Sequence, residues 1–255
     1  MKQLIKQNAI FLSISIVALF SLGITILLTD KAQLHLFLNS CHFTIADFFF
    51  RYYTLIGEFA IYLLALYLLI RKQYFNTLFV LLSEGLSAAI IQLIKHLVNM
   101  PRPKIFFDIA NNPDILPLVS GVKLHSWHSF PSGHTASFAV LCFCICILVC
   151  SHHLERGRLA GPRPQPKQKH VITDLLYRSK YKNNRLISLT TQITCAICFL
   201  LGGYSRIYLS QHFAQDIFVG GIIGLASVLI IYAVFLHLKK SLPDTMHQSN
   251  TSKSA

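Results

Sequence analysis

Eight residues in three short clusters carry groups suited to holding an anion and moving protons around it. The first cluster is "KHLVNMPRP", residues 95–103. Pro101 and Pro103 lack an N–H and restrain the residues before them, so they stop a helix and hold Arg102 on a stiff turn beyond Lys95. The second is Pro131-Ser132-Gly133-His134. Ser132 can cap a helix, and Gly133 lets another group approach the backbone closely. Free N–H groups and the positive end of the helix dipole make such a start an anion site. His134 then falls in the first turn, placed to give or take a proton. The third is "SRIYLSQHFAQD", residues 205–216. His212 and Asp216 are four apart and share a helix face. A carboxylate on one ring nitrogen fixes the tautomer and leaves the other as base or nucleophile. Arg206 adds a planar fork that matches phosphate oxygens.

Taken singly, each cluster has a plainer reading. Lys95 at a helix end is an ordinary anchor that snorkels to the membrane surface, and Pro-Ser-Gly-His is a helix cap with an incidental histidine. An aspartate within an apolar segment is harder to dismiss, because its burial is expensive enough to make function the default hypothesis.

The elements that must position these residues follow from composition. Of 255 residues, 53% are apolar and only 13% charged, about half the charge of an ordinary soluble domain. Several apolar runs approach the roughly 20 residues that cross a bilayer. The expected fold class is therefore all-α: a polytopic membrane protein, a six-transmembrane-helix bundle. The spans are expected at about 9–29, 56–70, 75–95, 133–151, 186–204 and 213–236. Between spans one and two, "LHLFLNSCHFTIADFFFRYYTLI" is aromatic and mixed-polar, which suits an interfacial helix. The first apolar run is too long for a signal-peptide core and reads as a retained span. Residues 1–240 form one membrane-embedded domain in this reading. The tail, residues 241–255, has little apolar surface to bury and is expected to be disordered.

A net charge of +13 suggests nucleic acid at first sight, but nine of the 23 Lys and Arg residues lie in one stretch, residues 153–185. A basic cluster beside membrane spans sets topology, and no nucleic-acid partner is expected. With the N-terminus inside, 16 Lys and Arg fall on the cytoplasmic side and seven outside. The positive-inside rule then puts both termini in the cytoplasm and all three clusters on the outer face. The 153–185 stretch, rich in Pro, Gly and Lys, reads as a flexible cytoplasmic connector. The cysteines at 142, 144, 146, 150, 195 and 198 lie inside apolar runs and read as small buried hydrophobes rather than redox or metal ligands.

On one face, two arginines, a lysine and a backbone nest supply donors for a phosphate. Two histidines and an aspartate supply nucleophilic and acid chemistry. Lys95-x6-Arg102-Pro103, Pro131-Ser132-Gly133-His134 and Ser205-Arg206-x5-His212-x3-Asp216 resemble, in order and at every defining position, the three-part signature of the type 2 phosphatidic acid phosphatase (PAP2) family, which shares its site with vanadium haloperoxidases. The resemblance implies a metal-independent lipid phosphatase without a cofactor. His212 would be the nucleophile, Asp216 its orienting partner and His134 the acid. Lys95, Arg102, Ser132, Gly133 and Arg206 would hold the phosphate oxygens. The implied setting is a bacterial inner membrane with the site facing the periplasm and a membrane lipid phosphate as partner. Phosphatidylglycerol phosphate, undecaprenyl pyrophosphate, phosphatidic acid and lipid A 1-phosphate are all candidate substrates, and the oligomeric state is left open. His125 and His128 lie outside the signature and read as loop or interface residues, with Trp127 at the headgroup level. The alternatives are a lipid phosphotransferase using the same site and, from another class, an anion or lipid transporter that keeps the phosphate cradle.

Overall fold

The computed structural model describes the backbone of residues 1–110, 116–159 and 171–241, and side chains over all of these except 151–184 and 239–241. Ten helices among the described residues run in the order α1 (Lys2–Gln7), α2 (Ala9–Leu28), α3 (Lys31–Leu38), α4 (Thr44–Tyr53), α5 (Ile56–Ile70), α6 (Tyr74–Val98), α7 (Pro103–Ile109), α8 (Gly133–Leu159), α9 (Val171–Tyr208) and α10 (Ala214–Ser241). Among the described residues, five helical segments are long and apolar enough to cross a membrane, and α4 with α5, bent by 42°, makes a sixth if the pair is one span. This agrees with a polytopic bundle of up to six spans, although the expected second span, 56–70, is α5 alone and is long enough only together with α4. The interfacial helix expected between the first two spans resolves into two, α3 and α4.

Helix α8 is the axis of the bundle and packs against α5, α6, α9 and α10. From Phe138 to Cys150 its sequence is apolar all round, the pattern of a buried helix. Phe138, Ala139, Val140, Phe143, Cys144 and Cys146 are fully buried, and Phe143 stacks on Phe11 of α2 with ring centroids 5.4 Å apart. Cys142, Cys144, Cys146 and Cys195 are free thiols filling this core, as their apolar setting suggested, and Cys198 packs against it partly buried. Outside, the polarity is that of a protein solvated by lipid: Phe20 is 68% exposed, Leu63 64% and Leu27 85%. Such a surface in water would be an aggregation site.

Two features fix the register of the helices around the site. Gly220 and Gly224 of α10 lie against the carbonyl oxygens of Ser132, just before α8, and Ala136 of α8, at distances no Cβ could tolerate. Small residues let the two backbones meet directly, as helices in lipid commonly require. At the other end of the bundle, Gln192 of α9 accepts the N–H groups of Ile10 and Phe11 at 3.2 and 3.3 Å. These first-turn donors of α2 have no partner within their own helix.

The stretch read as a flexible connector is shorter than expected. Helix α8 continues to Leu159 and α9 already begins at Val171, so much of 153–185 is helical. Residues 160–170 and nearly all of the tail expected to be disordered lie outside the described residues.

Candidate active site

All three clusters meet at one end of the bundle. Helix α6 stops at Asn99, in the left-handed conformation (φ 42°), with its N–H on the Lys95 carbonyl at 3.0 Å. This is a common helix stop, and Pro101 and Pro103 follow. Arg102 is then pinned on both sides: Nε donates to the Trp127 carbonyl at 3.1 Å, and Nη1 to Gln211 Oε1 at 2.9 Å. Lys95 and His128 hold each other. Lys95 Nζ donates to the His128 carbonyl at 2.9 Å, and His128 Nδ1 lies 3.1 Å from the Lys95 carbonyl. His128 and Trp127 thus act largely through their backbone, as loop residues that fix the two cations.

The spacing Arg206-x5-His212 has a structural cause. After α9 the chain turns sharply, with Ser210 at φ 50°, and the Arg206 carbonyl accepts the N–H groups of both Gln211 and His212 at 2.9 and 3.1 Å. The turn folds His212 back over Arg206. Arg206 is 6% exposed. Its Nη1 donates to Thr54 Oγ1 at 2.5 Å, while its buried Nε has no partner among the described residues.

Asp216 ties the second and third clusters together. Its Oδ2 lies 3.2 Å from His212 Nδ1 and accepts from Phe213 N–H at 3.0 Å and Ser129 Oγ–H at 2.5 Å. Its backbone carbonyl accepts the Ser132 N–H at 3.0 Å. His212 and Asp216 are each 1% exposed. Burial, with Arg102, Arg206 and Lys95 nearby, holds the His212 imidazole well below its ordinary pKa, which favours the unprotonated ring. A neutral imidazole oriented by a carboxylate is a competent nucleophile.

Lys95, Arg102, Gly133, His134, Arg206 and His212 line a single cavity of about 670 Å³. Ser132 and Asp216 stand behind it. The Ser132 hydroxyl, just before α8, accepts from Thr135 Oγ1 at 2.9 Å and from the Thr135 N–H at 3.4 Å, capping the helix. His125 also lines the cavity, its pKa lowered by partial burial and then by the surrounding cations. The cavity continues between α5, α6 and α8 past Tyr62, Ser137 and Glu84. Among the described residues, no group of three or more His, Cys, Asp or Glu side chains could hold a metal ion.

Sequence reasoning missed five residues here. Ser129 and Gln211 lie beside the motifs, but only the folded turns show what they hold. Thr54 gives no signal in sequence. Glu58 and Glu84 do: each is an acidic residue in an apolar run, a position rarely occupied without a role. Glu58 Oε1 lies 2.7 Å from His134 Nε2.

This arrangement, a buried imidazole–carboxylate pair facing three cations at the end of an all-helical bundle, is suited to the positioning and charge stabilisation on which phosphoryl transfer depends. The PAP2 superfamily model matches residues 76–240, more than half the chain, and the chain belongs to that superfamily. Two solved structures share the fold. LpxE from Aquifex aeolicus is 22% identical with a TM-score of 0.55, over 80% of this chain and 94% of its own. The first transmembrane PAP2 type phosphatidylglycerolphosphate phosphatase from Bacillus subtilis is 19% identical with a TM-score of 0.54, over 94% of this chain and all of its own. Comparison with curated proteins found no match.

Proposed function

We propose that the chain is a lipid-phosphate phosphatase working through a phosphohistidine at His212. The observation that carries this reading is the His212–Asp216 pair, buried and aimed into a cavity lined by Lys95, Arg102 and Arg206. Asp216 occupies Nδ1, so Nε2 is the nitrogen that attacks phosphorus. The ester P–O bond breaks as the P–N bond forms, and the leaving oxygen takes a proton from His134. Water then adds to phosphorus, giving a proton back to His134 as the P–N bond breaks and inorganic phosphate leaves. Arg206 Nε, the two other cations and the Gly133 N–H serve the three oxygens that carry charge in the transition state.

Two features support a lipid as the substrate. The cavity runs from the cationic cluster down between α5, α6 and α8, and Leu55 and Tyr62, which line it, are themselves exposed. The bias of Lys and Arg away from the site's end of the bundle supports an outward-facing, periplasmic site. The substrate choice remains among phosphatidylglycerol phosphate, undecaprenyl pyrophosphate, phosphatidic acid and lipid A 1-phosphate.

The test is phosphate release from these four lipids by purified wild type and His212→Ala. Release from at least one by wild type, and none by the variant, is the expected result. A folded wild type that releases phosphate from none of them contradicts the proposal.

A further inference from the structure

The cavity holds two histidine–carboxylate pairs, and only one is accounted for by the motifs. His212–Asp216 is sealed, with side chains 1% and 2% exposed. His134–Glu58 lies across the cavity at 2.7 Å and is open, with side chains 24% and 41% exposed. The second pair is built by helix docking rather than by chance contact. Glu58 lies in the first turn of α5. Its neighbour Gly57 sits directly on the first turns of α8, where an added Cβ would meet Phe138 Cε2 at 2.8 Å and the His134 carbonyl at 3.3 Å. The close approach that glycine permits brings Glu58 onto the His134 ring.

We propose that Glu58 is a positioning residue for the leaving-group proton. Its carboxylate accepts a hydrogen bond from the Nε2–H of the His134 imidazolium, sets the ring plane and balances its charge among three cations. The ring's other N–H, at Nδ1, is then the one delivered to the leaving oxygen. The difference in exposure fits the two roles. A nucleophile works best sheltered from water, whereas an acid must regain a proton from water in every turnover. In the first half-reaction the P–O electrons go to the ester oxygen, which takes the His134 proton. In the second half-reaction the attacking water returns a proton to His134, so Glu58 stays ionised throughout. This inference rests on the proposed phosphohistidine chemistry and adds to it a residue outside the three motifs.

The test compares leaving groups, because a proton donor matters for a poor one and hardly for a good one. Purified wild type, Glu58→Gln and Glu58→Asp are assayed for kcat/KM, which reports P–O cleavage, on a long-chain alkyl phosphate and on p-nitrophenyl phosphate. Glu58→Gln is expected to lose on the order of 10²-fold on the alkyl ester, the lower range of general acid catalysis. It should lose less than about 5-fold on the nitrophenyl ester, whose leaving group needs no proton. Glu58→Asp keeps the charge and is expected to recover part of the alkyl-ester rate. Equal losses on both esters, or no loss on either, would overturn the role of Glu58 while leaving the phosphatase reading intact. A wild type inactive on both esters would instead overturn the phosphatase reading on which this inference rests.

Discussion

His35 offers a quantitative test of the packing behind the site. It lies on α3, whose start is capped by Asp30 Oδ1 accepting from Ala32 N–H at 2.8 Å and Gln33 N–H at 3.1 Å. The His35 side chain is fully buried, and neither ring nitrogen has a partner among the described residues. It packs edge-on to Phe213, the residue after His212, with centroids 5.0 Å apart, and 6.0 Å from Phe107. Burial lowers its pKa from 6.5 to about 4. Asp216 opposes that shift and Lys31 adds to it. A depressed histidine pKa means that the unfolded chain binds the proton first as pH falls. Above pH 6.5 the ring is neutral in both states and contributes no pH dependence. Between 6.5 and about 4 stability falls by about 1.4 kcal/mol per pH unit, and by about 3 kcal/mol in all. His35→Phe keeps the aromatic packing and removes the titration, while Lys31 and Asp216 titrate in both proteins. Denaturation of detergent-solubilised protein, followed from pH 8 to pH 4, should show wild type losing about 3 kcal/mol more than the variant below pH 6.5. Parallel curves for the two proteins would refute the reasoning.

Two further substitutions probe the frame of the active site. Asp216→Asn puts an amide where three donors converge on one carboxylate oxygen, so steady-state phosphate release should fall by about 10³-fold or more in kcat with a smaller change in KM. Gly220→Ala drives a Cβ into the Ser132 carbonyl. Thermal denaturation in detergent should show a cost of roughly 1–3 kcal/mol, and phosphate release should drop by up to about 10²-fold, because the start of α8 shifts against His212.

Much of this was legible in the sequence because the physics is local. A helix that crosses lipid must satisfy its own backbone and present apolar side chains, so each span appears as an apolar run. The three clusters were legible because their charged and titratable residues are costly beside such runs and each carries part of the proposed phosphate site. What stayed hidden depends on contacts between distant segments. Thr54 and Glu58 come from the α4–α5 bend, 152 and 76 residues from their partners Arg206 and His134. The double role of Asp216, whose carbonyl holds the start of α8 while its side chain holds His212, needs Gly220 and Gly224 to bring the helices together. The aromatic, mixed-polar character of residues 34–56 points to the interface but does not show the break at Asn39, so one helix is expected where α3 and α4 form. The connector reads as longer than it is because basic residues continue on either side of the prolines into the ends of α8 and α9.

The central claim is that His212 becomes covalently phosphorylated. It is tested most directly with ³²P-labelled nitrophenyl phosphate and the His134→Ala variant. This donor needs no acid to form the intermediate, but its breakdown by water is slowed. A rapid alkaline quench should trap an acid-labile label on the peptide that contains His212, and the label should vanish in the His212→Ala, His134→Ala double variant. Turnover with no label on that peptide, or a label that survives loss of His212, would contradict it.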